Sequence, residues 1–389
     1  MSAFPRLSLL VALIAITLVV GTLGVWTLVD RDGARSWRQA AIISSEVGDV
    51  PIGRNVAGWL THEPRDVRVL TAGGLPATMI RPGGAEDRTA PAVVVLVPNG
   101  TSARELKQLE NVQHAVARAG MVAWAVRVPD PGESLGSTRE LGKLRSAMLG
   151  IASDPSTRDG HVSIIAAGAI ASQALVVASE PEVDRFVQAM LVVQPVADVQ
   201  GLVRLAVTGT ARNTLGADVA HPAAARLRRT AARALVRTLR EQAPNTLSPI
   251  VGRLLDAAID QDDPLAALRR IPPRLLRGDL RALRRVLTTD DPRQFDAAWT
   301  LLPASLLMEA SALSPTEVVA DLDARVLLGG PLDDTQYPIE DTFRIAAQLN
   351  DRRVRVTRLL DVDGRADASS AGARSTVRDI AWWLEQAGS

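Results

Sequence analysis

The stretch VSIIAAGAIASQAL, Val162 to Leu175, passes from a strand-like run into a helix of small residues, with Ala166-Ala167-Gly168-Ala169 as the joint. A short β-branched run feeding directly into a helix is the repeating unit of a mostly parallel sheet covered by helices. The same rhythm extends outward on both sides. Upstream, Ala92 to Val97 (AVVVLV) is wholly apolar, as a strand buried on both faces should be, and it ends at Pro98-Asn99-Gly100. Glu105 to Arg118 then reads as helix, Val122 to Val128 as strand and Arg139 to Ile151 as helix, with a Pro129-Asp130-Pro131-Gly132 turn between the last two. Two earlier strands, Val67 to Leu70 and Pro76 to Ile80, flank Gly73-Gly74.

Downstream, Met190 to Val193 reads as the next strand. From Val199 to Leu313 no strand pattern is visible, and Leu, Ala and Arg recur at helical spacing, so this stretch reads as an all-helical insertion. The rhythm resumes with strand Arg325 to Leu328, helix Ile339 to Leu349, strand Val354 to Leu359 and helix Ala373 to Gln386. The expected organisation is one α/β core in two parts, 65–198 and 314–389, interrupted by a helical cap, 199–313.

This order of elements resembles the α/β-hydrolase fold over roughly residues 65 to 389, and five phrases carry the resemblance. APAVVVLVPNGTS is similar to that family's strand and oxyanion loop, GMVAWAVRVPDPGES to the next strand and its turn, and VSIIAAGAIASQAL to the nucleophile elbow. ARVLLGGPLDDTQYP resembles the strand and acid loop, and VRVTRLLDVDGRAD the strand before the histidine loop. The family's chemistry uses a Ser in G-x-S-x-G, then an acid, then a His, in that chain order. By the resemblance, the nucleophile position is Gly168, the acid is Asp333 or Asp334, and the histidine falls on Gly364 or Arg365. No His follows His221.

A serine needs a neighbouring base to take its proton, and a guanidinium with a pKa above about 12 has no lone pair to offer. The expectation is therefore a degenerate triad with no catalytic residues. An oxyanion pocket could persist in Asn99, Gly100, Thr101 and Ala169, since such a pocket is built from backbone N–H groups. The rival expectation is a relocated nucleophile at Ser102, Ser163 or Ser172, in a membrane-bound serine hydrolase of esterase or acyltransferase type. A third is a purely structural envelope protein.

Composition narrows the remaining classes. The 389 residues contain no Cys, which excludes disulfides, thiolate metal sites and cysteine nucleophiles. The four His, at 62, 114, 161 and 221, are scattered, and the paired acids at 262–263, 290–291 and 333–334 lack a third ligand, so neither metal nor cofactor is expected. A net charge of +1 and 3% aromatic residues argue against nucleic acid as a partner.

Leu9 to Val29 is 21 residues without a charge, long enough at about 1.5 Å per residue to cross a bilayer core of about 30 Å. It reads as one transmembrane helix between an N-terminal flank, 1–8, and a lead-in, 30–64. The flanking charges, Arg6 against Arg31, Arg35, Arg38, Asp30 and Asp32, leave the side of the soluble part open, with the extracytoplasmic side as the expectation. In the cap, Arg226, Arg229, Arg233, Arg237 and Arg240 recur at steps of three or four opposite Leu227, Ala231, Leu235 and Leu239. That basic amphipathic helix either lies on anionic head groups or packs on the core with a solvated face. The functional expectation is a membrane-anchored protein of the hydrolase fold that acts by binding a small apolar ligand or a protein partner.

Overall fold

The computed structural model describes residues 39, 63–83, 89–99, 101–129, 137–242, 249–330, 337–358, 382–385 and 387. The 9–29 segment lies outside them. Among the described residues no helix is long and apolar enough to cross a membrane.

Eight strands form one sheet: β1 (Arg65–Ala72), β2 (Leu75–Arg81), β3 (Ala90–Pro98), β4 (Val122–Val128), β5 (Thr157–Ala167), β6 (Val187–Val193), β9 (Arg325–Gly330) and β10 (Val354–Arg358). They lie in the order β1-β2-β4-β3-β5-β6-β9-β10, with only β2 antiparallel to its neighbours. Counted within the sheet this is 1-2-4-3-5-6-7-8, a mostly parallel arrangement that matches the hydrolase-like fold. The strands fall where the apolar runs lie, because a central parallel strand must be apolar on both faces. In β3, Val93, Val95 and Val97 join one apolar cluster and Ala92, Val94 and Leu96 the other.

Helices cover both faces. Against one pack α1 (Ala103–Arg118) and the residues Trp383 and Leu384. Gln39 is buried beside them and donates through Nε2 to Ala119 O at 3.0 Å. Against the other pack α2 (Thr138–Ala152) and α3 (Ala169–Ala178). Between β6 and β9 the chain leaves the sheet through α4 (Val199–Thr208) and builds the cap. Its helices are α5 (Ala225–Gln242), α6 (Pro249–Ile259), α7 (Pro264–Arg270), α8 (Asp279–Thr288), α9 (Pro292–Trp299) and α10 (Ala304–Ala312). The chain returns through β9 to α11 (Ile339–Ala346).

The insertion is not all helical. Thr210–Arg212 (β7) and Asp218–Ala220 (β8) form a small antiparallel hairpin. Its two strands of three residues are too short to show a period-2 pattern, and the turn is set by side-chain chemistry instead. Asn213 Oδ1 accepts from the N–H groups of Leu215 and Ala217, both at 2.9 Å.

The cap and one core face share a single apolar cluster. Leu227, Ala231, Leu235 and Leu239 of α5 belong to it together with Ile164 and Leu328 of the sheet, and Phe295 and Trp299 stack at 5.7 Å within it. A second tie is polar. The Glu309 carboxylate of α10 accepts from the Thr138 N–H at 2.7 Å, placing a negative charge at the N-terminus of α2.

Candidate functional site

The joint between β5 and α3 has the backbone of an elbow. Gly168 sits at φ 65° and ψ −144°, a region close to glycine-only. Its N–H donates to Val193 O at 2.8 Å and its carbonyl accepts from Ala171 N–H at 3.0 Å, so the turn is fastened to β6 and to its own helix. A Cβ at this position would lie 3.3 Å from Cε2 and 3.5 Å from Cζ of Tyr337. The only tyrosine in the chain therefore stands over the place from which a nucleophile would project.

The relocated candidates have other surroundings. Ser172, 4% exposed, accepts from the Val196 N–H through Oγ at 2.7 Å and so holds α3 to the loop after β6. Ser163, 1% exposed, lies within β5 between Val93 of β3 and Ala189 of β6. Among the described residues no hydrogen bond joins either serine to a histidine. Ser102 is exposed at the start of α1, its carbonyl accepting from Leu106 N–H.

In the loop after β3, where the sequence placed an oxyanion pocket, Thr101 turns inward on its own chain. Its Oγ1 donates to Pro98 O at 2.6 Å and its N–H to the same oxygen at 3.4 Å, while Asn99 N–H donates to Val128 O at 2.7 Å. These N–H groups are engaged in holding the loop. Ala169, the first residue of α3, has an N–H at a helix start, where no intrahelical partner exists. Gly100, Asp333, Asp334, Gly364 and Arg365 lie outside the described residues.

Charge is concentrated one step along the same edge, off the ends of β6 and β9. Asp198 caps α4, accepting from Gly201 N–H, and its other oxygen accepts from Arg344 of α11, 146 residues later. Arg344 Nη1 also donates to Asp341 Oδ1 at 3.3 Å. Gly201 leaves the room this requires, since a Cβ there would meet the Asp198 carboxylate at 3.1 Å and Arg344 Nη1 at 3.3 Å. Asp341 is 4% exposed, and burial first, then the neighbouring Asp198 charge, pushes its carboxyl up to about 7 against the opposing pull of Arg344. For Arg344, burial works against the cation, but Asp198 and Asp341 outweigh it and hold the guanidinium above its ordinary value.

This cluster borders a cavity of about 340 Å³ between core and cap. Trp299, Leu307 and Ala310 give it an apolar wall, and Asp198, Arg204, Arg212 and Arg344 a charged one. Arg204 is 2% exposed. It reaches Asp218 of β8 through Nη2, and its Nε lies 3.5 Å from Asp296 without hydrogen-bond geometry. Its Nη1 has no partner among the described residues. Sequence reasoning passed over this cavity because its charges come from four separate segments, at 198–204, 212, 317 and 344. One signal was available: Arg204 is the only charged residue in VQGLVRLAVT. Among the described residues no group of three or more metal-ligating side chains converges.

The basic face of α5 is largely paired within the cap. Arg229 lies 3.9 Å from Asp262, Arg233 3.1 Å from Asp260, Arg237 2.9 Å from Glu241 and Arg240 2.6 Å from Asp256. Arg226, at the start of the helix, is half-buried.

No protein-family model and no curated protein matches the chain. Similar solved structures include Pyrococcus horikoshii acylaminoacyl peptidase (TM-score 0.44, 11% identity, covering 84% of this chain and 41% of that one). They also include Porphyromonas gingivalis dipeptidyl peptidase 4 (TM-score 0.41, 11% identity, 84% and 37%) and a thermostable esterase from Pseudomonas putida (TM-score 0.40, 12% identity, 96% and 95%). The chain spans about two fifths of the length of these peptidases.

Proposed function

We propose that this chain is a membrane-tethered protein of the α/β-hydrolase fold that acts by binding rather than by serine-type acyl transfer. The observation that carries the reading is Gly168: the elbow backbone is kept, the side chain is absent and Tyr337 fills the approach. Ser172 and Ser163 offer no substitute, being buried and, among the described residues, without a hydrogen bond to a histidine. A hydroxyl without a base stays protonated and attacks acyl groups too slowly to matter.

The ligand site in this reading is the cavity between core and cap, whose volume suits a small molecule. An apolar wall facing a charged one favours a ligand with an apolar body and a polar head, which narrows the small apolar ligand or protein partner expected from sequence. The tether is the 9–29 segment, supported by its length and lack of charge.

The test is fluorophosphonate labelling and ester turnover by the full chain in detergent, beside Ser102→Ala, Ser163→Ala and Ser172→Ala. No labelling and no turnover are expected in any of the four. Labelling that one substitution abolishes would overturn the reading and place a working serine at that position.

A further inference from the structure

The cap carries two arginine-rich surfaces, and only one of them is neutralised. Four arginines of α5 face carboxylates of the cap. The second surface runs from the end of α7 through α8, residues 269 to 285, where Asp279 is the only acid. Arg269, Arg270, Arg274, Arg277, Arg281 and Arg285 are all exposed there. Among the described residues none of these six is within 4.0 Å of a carboxylate oxygen, and neither is the half-buried Arg284. Their contacts are to carbonyl oxygens: Arg269 Nε donates to Thr288 O at 3.0 Å, Arg281 Nε to Leu276 O at 3.3 Å and Arg284 Nη2 to Arg269 O at 3.0 Å. These bonds gather the end of α7 and the body of α8 into one corner while leaving the charge uncompensated.

The hydrogen bonds of this surface hold the corner together, but its like charges work against it. Within α8, Arg281 and Arg285 stand at i, i+4, where like charges cost a helix about 0.2–0.5 kcal/mol per pair, and Arg277 lies just before the N-cap Gly278. Leu275, 42% exposed, stands among them.

We infer that this corner is a docking surface for an anionic phospholipid bilayer. The inference rests on the proposed membrane tether and adds to it which face of the domain meets the lipid. A basic residue near an anionic leaflet contributes about 1 kcal/mol, and an apolar side chain among the cations can enter the head-group layer. The chain supplies proximity. Gln39 is fastened to Ala119, and the nine residues between it and Val29 span at most roughly 35 Å. The tether keeps the domain as a whole near the bilayer, and a weak contact by one of its faces is favoured by that local concentration. Nucleic-acid phosphates would satisfy the same guanidiniums, but the tether and Leu275 favour lipid.

The experiment uses the full chain in nanodiscs, either of phosphatidylcholine alone or doped with phosphatidylglycerol, read by hydrogen–deuterium exchange. Exchange over 264–288 is expected to slow severalfold in the anionic discs and not in the neutral ones, with 225–242 unchanged in both. High salt, or the triple variant Arg274→Glu, Arg277→Glu, Arg281→Glu with an unaltered melting temperature, is expected to abolish the difference. A chain that enters neither disc overturns the tether and this inference with it. A chain that enters both with equal exchange over 264–288 overturns this inference alone. Slowing by duplex DNA but not by anionic lipid overturns it in favour of nucleic acid.

Discussion

The carboxyl end of β5 and the carboxyl ends of β6 and β9 are neighbours in one sheet, and they are built in opposite ways. At the first, a sharp backbone turn is held around Gly168 with no side chain at its apex. At the second, Asp198, Asp341 and Arg344 are drawn together beside a cavity. The difference separates a shape held by the backbone from one held by side chains. The elbow persists because Gly168 N–H bonds to β6 and α3 packs on the sheet, interactions indifferent to the side chain at its apex. The charged cluster exists only through its side chains, and removing the shared Arg344 leaves two carboxylates facing each other without their cation.

The largest expected effect tests that asymmetry directly. Arg344→Met keeps the volume and removes the cation, leaving Asp198 and Asp341 facing each other. Breaking a buried ion pair by removing one partner costs about 3–5 kcal/mol. The loss should be largest near pH 8 and smaller near pH 5, where Asp341 takes up a proton and relieves the repulsion. Denaturant unfolding of the full chain in detergent at the two pH values checks it, and a loss of under about 1 kcal/mol at both would mean that the cluster does not hold α11 to the start of α4.

The elbow should respond less. Gly168→Ser puts a Cβ at φ 65° and within 3.3 Å of the Tyr337 ring, and a strained backbone residue of this kind costs about 1–3 kcal/mol. Adding Tyr337→Ala should recover the steric part of the loss but not the backbone part, which thermal melts of the single and double variants would separate. Neither variant should gain ester turnover, since a hydroxyl at 168 still lacks a base. Turnover by Gly168→Ser would show that a base is present after all and break the comparison at its first term.

How far each region was readable follows from the range of its interactions. β3, β5 and their helices are written locally, as apolar runs, joints and glycines, and so the sheet could be anticipated strand by strand. The glycine at the elbow was readable for the same reason. What stands over it was not: Tyr337 reaches Gly168 from 169 positions away, and only its being the sole tyrosine hinted at a special place. Asp341 looked like an ordinary first-turn acid of a helix, and Asp198 like an ordinary cap, until the fold brought them to one guanidinium. In the cap, helical spacing correctly gave α5 an apolar and a basic face, but the carboxylates that answer the basic one lie on or just beyond α6 for three of the four pairs. Charge spacing within one helix says nothing of the counter-charges its neighbours bring.

The smallest expected effect concerns the cluster with its geometry left intact. Asp341→Asn keeps an acceptor for Arg344 and for the backbone while removing the charge. Because the folded carboxyl is raised from 3.8 to about 7, the folded state of the natural protein binds the proton more tightly than the unfolded state does. Its stability relative to the variant should therefore be fully present below about pH 4 and fall as pH rises to about 7, staying low beyond that. The raised value is already net of the attraction between Arg344 and the carboxylate, so that attraction is not subtracted a second time. An advantage for Asn of at least about 1.4 kcal/mol at pH 8, the equivalent of one pKa unit, with none at pH 4, is the expected result. Parallel unfolding curves across this range decide it. A constant difference would mean that Asp341 is ionised throughout, with Arg344 shared evenly between two carboxylates, and the second region would then be a permanently charged structural clamp rather than a group poised to take up a proton near neutrality.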